Sequence, residues 1–338
     1  MKWTAHNAHV PRFGSGEAKG VIDESVRGMD LYILVDVCNY SLTYSMSGNT
    51  NHMSPDDHYQ NLKRIIAAVG GKAKRINVIM PFLYESRQHK RSSRESLDCA
   101  LALQELTHMG VDNIITFDAH DPRVQNAIPL SGFETVRPTY QFVKGLLDRY
   151  DDLIIDSDHM MAISPDEGAT ERAVYLANVL NLDMGMFYKR RDYTRVVNGR
   201  NPIVAHEFLG SSVEGKDVII LDDMISSGDS ILDVAKQLKS RNAKRIFAAA
   251  TFGLFTNGLD KFDEAYESGL IDGVLTTNLI YQTPELLSRP YYINCDMSKY
   301  VALMIDTLNH DGSISDILDP SERIQVCVEE YKKAHGQL

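Results

Sequence analysis

Short runs of apolar and β-branched residues recur along the chain and predict the strands of parallel sheets. The runs are LYILVDV (31–37), INVIM (76–80), NIITF (113–117), LIID (153–156), MGMFY (184–188), DVIIL (217–221) and RIFAAAT (245–251). Between them, apolar residues fall on one helical face in Ser96–Met109 and in Ile231–Leu238. Strands that alternate with helices predict an α/β fold, in which mainly parallel sheets are covered by helices on both faces.

Polar stretches between these runs predict loops and a joint between two domains. Residues 44–58, YSMSGNTNHMSPDDH, are rich in Ser, Asn and Gly and predict a surface loop. DSDHMMAISPDEGAT, residues 156–170, predicts a domain joint, and residues 312–338 predict two short helices with a polar end. A length of 338 residues is consistent with two domains of ordinary size.

The composition excludes several classes of partner. The net charge is −11 at pH 7, whereas proteins that bind nucleic acid or anionic membranes generally need an excess of Lys and Arg. We therefore expect no nucleic acid and no membrane as partners, while a local basic cluster could still bind a nucleotide. Four scattered cysteines form no CxxC pair, and the first residues contain no apolar signal segment. These features favour a cytoplasmic protein.

The stretch VIILDDMISSGDSILDVAKQL joins a strand, a loop of small residues and an amphipathic helix. Such a loop can bind an anion, because free backbone N–H groups and the helix dipole point towards it. The residues available for further hydrogen bonds are Ser226, Ser227, Gly228 and Ser230. Asp222 and Asp223 suit sugar hydroxyls or a hydrated magnesium ion. The alternative interpretation is a capped helix after a buried strand, with Ser230 or Asp229 as the N-cap.

Two basic stretches are candidates for phosphate contacts. FYKRRDYTR places Lys189, Arg190 and Arg191 after a strand. Cations on a mobile flap suit phosphoryl transfer, although a charge run is usually a solvated face. SRQHKRSSRE offers Arg87 and Gln88 for a polyphosphate or the edge of a base, although an exposed basic loop is the simpler interpretation.

TFDAHDPRVQ carries a possible metal–phosphate site. Asp118 and His120 lie two residues apart at a strand end, and SPDEG contributes Asp166. A single histidine is more often a structural residue than a ligand. No HExxH, Walker A or GxGxxG motif is present, so zinc protease, P-loop kinase and dinucleotide oxidoreductase functions lack support.

Six motifs in order resemble those of the ribose-phosphate pyrophosphokinases, or phosphoribosyl-diphosphate synthetases, over nearly the whole chain from Pro11 to about Leu318. RFGSGEAKGVIDESVRG (12–28) resembles the opening segment with its F-S-D-G-E loop, and KRINVIMPFLYESRQHK resembles the nucleotide loop with R-Q. ITFDAHDPRVQ is similar to the D-L-H segment and ISPDEGATERA to S-P-D-x-G. YKRRD is similar to the K-R-R flexible loop and ILDDMISSGDSI to the phosphoribosyl loop.

This resemblance implies two phosphoribosyltransferase-like domains, each a mainly parallel sheet flanked by helices. Residues 1–155 would form the ATP-side domain, completed by a C-terminal helix at about 296–338, and residues 156–295 would form the ribose-phosphate side. The implied reaction transfers the β,γ-diphosphoryl group of ATP to the C1 hydroxyl of ribose 5-phosphate and releases AMP. The resemblance further implies Mg²⁺ and a homo-oligomer, either a dimer or a hexamer built from dimers, in which the Phe13–Glu17 loop helps to hold a neighbour's adenine.

The resemblance also implies roles for individual residues. Lys189 and Arg191 would close over the reacting phosphates and stabilise charge on the departing oxygen. His120 and Asp166 would position Mg²⁺ on the triphosphate. The implied ATP-binding residues are Phe13, Ser15, Glu17, Arg87, Gln88 and His120. The implied ribose-phosphate-binding residues are Asp222, Asp223, Ser226, Ser227, Gly228, Asp229 and Ser230.

Several positions depart from the family's motifs. Ser226 replaces the Asp that begins the phosphoribosyl loop D-T-A/G-G-T, and Asp229 stands where a Gly is usual. Ser15 replaces an Asp in the first loop, and His89 stands where R-Q is normally followed by Asp. The segment 44–55 is also longer than the family's usual connection.

Asp229 leaves several interpretations open, because its negative charge would repel a 5-phosphate dianion. The carboxylate could turn outward as the helix cap, so that ribose 5-phosphate binds as usual. The pocket could instead accept a 5-substituted ribose such as ADP-ribose, giving a pyrophosphorylated precursor of NAD. The chain could also be a non-catalytic subunit associated with a synthetase. A phosphoribosyltransferase or a nucleotide-sensing regulator shares the loop but would release no AMP from ATP.

Overall fold

The computed structural model describes residues 7–191 and 203–337; the side chains of residues 189–191 and 203–206 are outside the description. These residues form two compact units. Unit 1 contains the described residues up to Arg137, with Leu279–Tyr281 and Ser298–Leu318. Unit 2 contains Pro138–Asn278, Gln282–Met297 and the residues from Asp319 onward. The predicted boundary after residue 155 lies later than this division, and of the predicted portion 296–338 only residues 298–318 belong to unit 1.

The secondary structure of the described residues alternates between strands and helices. In chain order the elements are β1 (Ala8–His9), β2 (Val21–Ile22), β3 (Asp30–Leu34), β4 (Thr43–Met46), β5 (Asn49–His52), α1 (Pro55–Val69), β6 (Arg75–Ile79), α2 (Asp98–His108), β7 (Asn113–Phe117), a 3-10 helix (Pro122–Ala127), β8 (Gly132–Val136), α3 (Thr139–Arg149), β9 (Met160–Ser164), α4 (Thr170–Leu180), β10 (Asp183–Arg191), β11 (Ile203–Leu209), β12 (Asp217–Ile225), α5 (Asp229–Lys239), β13 (Ile246–Gly253), α6 (Asp260–Glu267), β14 (Gly273–Thr277), α7 (Pro284–Leu287), β15 (Tyr292–Cys295), α8 (Ser298–Asn309), α9 (Ser315–Leu318) and α10 (Ser321–Ala334).

Unit 1 is built on a four-stranded parallel sheet with the order β3-β6-β7-β8. Strands β6 and β7 are central and almost completely buried, in keeping with their unbroken apolar runs. Two small antiparallel pairs, β1–β2 and β4–β5, accompany this sheet. The parallel arrangement brings the ends of β6 and β7, and the loops that follow them, to one edge of the sheet.

Unit 2 is built on a seven-stranded sheet with the order β11-β10-β9-β12-β13-β14-β15. All neighbouring strands are parallel except β10 and β11, which are antiparallel. Alternate residues of β12 enter different cores: Ile219 and Leu221 pack with residues of α3 and α4, whereas Val218 and Ile220 pack with residues of α5. The sheet is therefore covered on both faces, which confirms the predicted fold class.

The segment 44–58 is not the predicted surface loop. Residues Thr43–His52 form a hairpin of β4 and β5, turning at Ser47 and Gly48, which both have positive φ angles of 50° and 80°. Helix α1 then begins at Pro55, because Ser54 and Asp57 form a reciprocal capping box. The Ser, Asn and Gly residues thus belong to the strands and turn of a hairpin and to a helix cap.

The segments LIID and 156–170 also differ from their predictions. LIID is not a strand: the Leu153 N–H donates to the Tyr331 hydroxyl at 3.0 Å, and its carbonyl accepts from Gln337 Nε2 at 2.7 Å. Side chains from the C-terminal region, rather than a neighbouring strand, therefore satisfy this backbone. The predicted joint 156–170 instead contains β9, a strand inside the seven-stranded sheet.

None of the helices in the described residues is both long enough and apolar enough to cross a bilayer.

Candidate active site

Three carboxylates gather at one edge of the seven-stranded sheet in unit 2. Asp222 and Asp223 lie near the end of β12, and Asp166 follows the neighbouring parallel strand β9 by two residues. The Asp223 N–H donates to Asp222 Oδ1 at 2.8 Å, while the Asp223 side chain is buried. Adjacent parallel strands end at the same edge, so the topology explains why residues distant in sequence meet here.

The electrostatics of Asp222 reflect this crowding. Burial raises the pKa of Asp222 well above its usual range, and the nearby carboxylates of Asp223 and Asp166 raise it further. Such a group favours contacts that compensate negative charge: hydroxyl donors or a cation.

The loop after β12 leads directly into helix α5, whose N-terminus presents backbone N–H groups that have no partner within the helix. One of them, that of Asp229, donates to Ser227 Oγ at 3.4 Å. Gly228 is the N-cap, with φ +83°. A Cβ placed on Gly228 would lie 2.3 Å from Cε2 of Phe262, whose ring is fully buried. Only glycine therefore fits both the backbone conformation and the space at the start of this helix.

Asp229 is not the helix N-cap, and neither is Ser230; both lie within α5. The Asp229 carboxylate accepts from Lys261 Nζ at 2.5 Å and from Ser227 Oγ at 3.0 Å. Lys261 and Ser227 hold the pKa of Asp229 below its usual value. The unusual negative charge is thus present at the loop, but it is paired with a cation from α6.

The loop after β6 carries Arg87 and Gln88 in unit 1. Arg87 is exposed, whereas Gln88 is half-buried and donates from Nε2 to the Ser96 carbonyl at 2.9 Å. The Gln88 N–H donates to the Glu85 carbonyl at 2.8 Å, which closes a tight turn. The turn presents Arg87 to solvent and orients the Gln88 amide.

His120 lies in the loop after β7, close to the loop after β6. Its ring centroid is 5.2 Å from that of His89, and His89 Nε2 lies 3.5 Å from Asp121 Oδ2. Burial, followed by the charge on His120, lowers the pKa of His89. Arg123 lowers the pKa of Asp121 to about 2. His89 therefore joins the surroundings of the predicted ATP ligand His120, at the position where the family's motif has an aspartate.

The Phe13–Glu17 segment is a closed turn. The Phe13 N–H donates to the Glu17 carbonyl at 2.7 Å, and Ser15 Oγ donates to Glu17 Oε2 at 2.8 Å. The Phe13 side chain remains 55% exposed. An exposed aromatic ring on an ordered turn is suited to contact a flat ligand or another chain.

Lys189 and Arg191 lie at the end of β10, opposite His206 and Ile203 of the antiparallel strand β11. The backbone at these cations therefore belongs to an antiparallel strand pair at the edge of the sheet. The side chains of Lys189 and Arg191 are outside the described residues, and so is the chain from 192 to 202.

The predicted metal ligands lie in different units, His120 in unit 1 and Asp166 in unit 2. Within the described ranges, no group of three or more His, Cys, Asp or Glu residues is arranged to hold a metal ion. Asp166 Oδ1 accepts from the Gly168 N–H at 3.0 Å, which orients its carboxylate in unit 2.

Sequence reasoning missed two contacts that shape these loops. Lys261, which pairs with Asp229, comes from a helix 32 residues later and carries no local motif. Arg12 and Tyr44 form a cation–π contact of 3.9 Å beside the Phe13–Glu17 turn. Both contacts depend on tertiary structure, so periodicity and motif spacing give no signal for them.

Comparison with known proteins adds family and fold assignments. A family model for the N-terminal domain of ribose phosphate pyrophosphokinase matches residues 1–110, and one for the phosphoribosyl transferase domain matches residues 137–277. The ribose-phosphate pyrophosphokinase of Mycoplasma genitalium is 31% identical over 272 residues, covering 80% of this chain and 74% of that protein. That of Chromobacterium violaceum is 30% identical over 315 residues, covering 91% and 86%.

A solved structure shows the same fold. Phosphoribosylpyrophosphate synthetase from Mycobacterium smegmatis superposes with a TM-score of 0.75 at 24% identity, covering 91% of this chain and 92% of that one. This likeness extends over both sheets.

Proposed function

The chain belongs to the ribose-phosphate pyrophosphokinase family, and we propose which of its residues, which metal and which sugar serve that activity. The protein is an ATP-dependent diphosphotransferase. Its reaction transfers the β,γ-diphosphoryl group of ATP to the C1 hydroxyl of a ribose phosphate, producing phosphoribosyl diphosphate and AMP. The observation that carries the residue assignments is the meeting of Asp166, Asp222 and Asp223 beside the N-terminus of α5.

The sugar side of the site is proposed to lie in unit 2. Asp222 and Asp223 accept hydrogen bonds from the ribose hydroxyls, which compensate the crowded negative charge. The 5-phosphate lies against residues 226–230, namely Ser226, Ser227, Gly228, Asp229 and Ser230, where the α5 N-terminus favours an anion. Because Lys261 pairs with Asp229, the loop tolerates a dianionic phosphate despite its own carboxylate.

The nucleotide side is proposed to lie in unit 1. Arg87 and Gln88 orient ATP from the loop after β6, and His120 contributes from the loop after β7. Phe13, Ser15 and Glu17 complete the set, with the exposed Phe13 ring against the adenine of a neighbouring subunit. These assignments are supported by the ordered turns that hold each side chain, including the Gln88–Ser96 and Ser15–Glu17 hydrogen bonds.

Lys189 and Arg191 are proposed to act on the transferred group. The reaction forms a bond from the C1 oxygen to the β-phosphorus and breaks the bond to the oxygen that leaves with AMP. Two cations at the end of β10 would stabilise the charge that develops on that departing oxygen. Their place on an antiparallel strand pair at the edge of the sheet is consistent with a segment that closes over the substrate.

We propose Mg²⁺ as the divalent metal, with His120 and Asp166 as its protein contacts. Mg²⁺ commonly binds through one or two carboxylates, substrate phosphates and water, so it does not need a preformed cluster of three protein ligands. The oxygen-rich surroundings of Asp166 fit such an ion. When bound, the metal would neutralise charge on the triphosphate.

We further propose a homo-oligomer, with dimers as its building block, and a cytoplasmic location. The exposed Phe13 ring supports the first proposal, because it offers an apolar contact on an ordered turn. The four free cysteines support the second, since disulfides are rare in the reducing cytosol. Light scattering of the purified chain tests the assembly, and a monomer at micromolar concentration would contradict it.

Ribose 5-phosphate is the proposed sugar, and ADP-ribose is the competing candidate. The Lys261–Asp229 pair favours ribose 5-phosphate, because Lys261 compensates the Asp229 charge that would otherwise repel a dianionic phosphate more than a diester. The test measures AMP release from ATP with each sugar at equal concentration. We expect a higher kcat/KM with ribose 5-phosphate; the reverse order would establish the 5-substituted sugar, and no AMP with either would favour a non-catalytic subunit.

Alanine variants test the proposed cations. Lys189→Ala and Arg191→Ala should each lower kcat by about 100-fold or more, with KM for both substrates changed far less, because the contacts form mainly in the transition state. Lys216→Ala is a matched control, since this lysine lies in the same unit and pairs with Asp183 away from the proposed site. AMP formation at the wild-type rate in both alanine variants would refute the assignment.

A further inference from the structure

The Phe13–Glu17 turn is held from outside by the β4–β5 hairpin. The Ser47 N–H at the tip of the hairpin donates to the Gly14 carbonyl at 2.9 Å. Met46 lies directly over Gly16, where a Cβ would approach the Met46 sulfur to 2.7 Å. Gly16 has φ +93°, a conformation that favours glycine, and the Met46 side chain packs against it.

Arg12 links the hairpin to the turn and to helix α1. Its guanidinium carbon lies 3.9 Å from the centroid of the Tyr44 ring on β4. One guanidinium nitrogen donates to the Gly16 carbonyl at 3.2 Å, and the other donates to Asp57 Oδ1 at 3.0 Å. The Arg12 side chain is only 11% exposed, so it is enclosed by these partners.

Asp57 is itself fixed, because it forms the capping box of α1 with Ser54. Asp57 at the N-terminus of α1 therefore binds Arg12, and Arg12 in turn binds the Phe13–Glu17 turn. The Tyr44 ring covers the guanidinium group of Arg12. Without Tyr44, the cation–π contact would be lost and one face of Arg12 would be open to water, which competes for its hydrogen bonds and weakens its charged contacts.

We propose that the β4–β5 hairpin is a positioning element for the nucleotide and that Tyr44 is its principal positioning residue. Through Arg12 it holds the Phe13–Glu17 turn in the conformation that presents Phe13 to a purine ring. This inference rests on the proposed function for the identity of the ligand, whereas the mechanical link between hairpin and turn stands on the contacts alone.

The consequence is an effect on nucleotide affinity rather than on the chemical step. A turn that is already ordered loses less conformational freedom when the base binds, so its contacts yield more affinity. The contacts that link the hairpin to the turn all lie within unit 1, so we expect ribose phosphate binding and kcat to depend on it little. The β4–β5 hairpin, which lies in the segment that is longer than the family's usual connection, thereby has a role in ATP recognition.

The test compares Tyr44→Ala with Tyr44→Phe and with Ser45→Ala. Tyr44→Phe keeps the ring, and Ser45 is an exposed neighbour on the same strand whose side chain serves as the matched control. We expect Tyr44→Ala to raise KM for ATP about fivefold to tenfold, with kcat and KM for ribose 5-phosphate within about twofold. The other two variants should match the wild type.

Hydrogen exchange supplies a readout that does not depend on turnover. The Phe13 and Gly16 amides, both hydrogen-bonded within the turn, should exchange faster in Tyr44→Ala and at the wild-type rate in Tyr44→Phe. Unchanged exchange with an unchanged KM for ATP would overturn the inference, and so would an equal rise in KM for both substrates. If the wild type releases no AMP, the proposed function fails, while exchange of these amides still decides whether the hairpin holds the turn.

Discussion

Gly228→Ala perturbs the start of helix α5 in two ways that can be separated. The new side chain must adopt φ +83°, and its Cβ must displace the buried Phe262 ring, whose atoms lie 2.3 and 2.5 Å away. The left-handed conformation costs roughly 1 kcal/mol for alanine. Overpacking against a fully buried ring costs roughly 1–3 kcal/mol more. We therefore expect a total destabilisation of about 2–4 kcal/mol, from these two principles.

Gly215→Ala isolates the first effect. Gly215 has φ +72°, but a Cβ added there meets nothing within 4 Å. This control should lose only about 1 kcal/mol, from backbone strain. For a domain of this size, each kcal/mol lowers Tm by about 2–4 °C. Gly228→Ala should therefore melt about 4–16 °C below the wild type, and Gly215→Ala only about 2–4 °C below it.

Calorimetry and kinetics together check the reasoning. Besides the lower Tm, Gly228→Ala should raise KM for ribose 5-phosphate, because the displaced helix N-terminus no longer faces the phosphate correctly, while KM for ATP changes little. Combining Gly228→Ala with Phe262→Ala removes the clash and should cost less than the sum of the two single changes. Equal melting temperatures for Gly228→Ala and Gly215→Ala, or strictly additive costs in the double variant, would refute the proposed packing.

Two further changes test the electrostatics. Lys261→Ala should raise KM for ribose 5-phosphate roughly twofold to fivefold, because the unpaired Asp229 carboxylate then repels the phosphate. Adding Asp229→Asn to this variant should restore the wild-type KM. An unchanged KM in Lys261→Ala would show that the pair lies outside the reach of the phosphate. Arg75→Met should destabilise unit 1 by about 1–2 kcal/mol at neutral pH, since Arg75 is 26% exposed and solvent screens its bond to Asp30. Arg75 holds the pKa of Asp30 below its usual value, so this stabilisation is present above about pH 4 and is lost as the pH falls through the lowered pKa. A difference in the free energy of unfolding between variant and wild type that grows on acidification would contradict this.

The parallel sheets could be predicted because buried strands require uninterrupted runs of apolar residues. NIITF coincides with β7, and DVIIL forms the first part of β12, since a strand covered on both faces must be apolar at consecutive positions. Asp222 and Asp223 could be placed at a strand end for the same reason. Their closeness to Asp166 depends on the order of strands in the sheet, which local sequence patterns do not reveal.

The remaining features depend on contacts between distant segments. LIID has the composition of a strand, but Tyr331 and Gln337 satisfy its backbone from the C-terminal region. The hairpin at Thr43–His52 has so many polar residues that it looks like a loop, because neither of its faces enters a core. Asp229 has the chemistry of an N-cap, yet Gly228 occupies that position, because only glycine fits against Phe262.

Phosphorus NMR of the complete reaction tests the central claim most directly. Purified protein is mixed with ATP, Mg²⁺ and ribose 5-phosphate, and the products are followed over time. The account predicts equal amounts of AMP and of a diphosphate ester at C1 of the ribose, with formation dependent on the sugar. Formation of ADP with a ribose that carries one phosphate at C1 and one at C5, or of AMP with free pyrophosphate in the absence of the sugar, would contradict it.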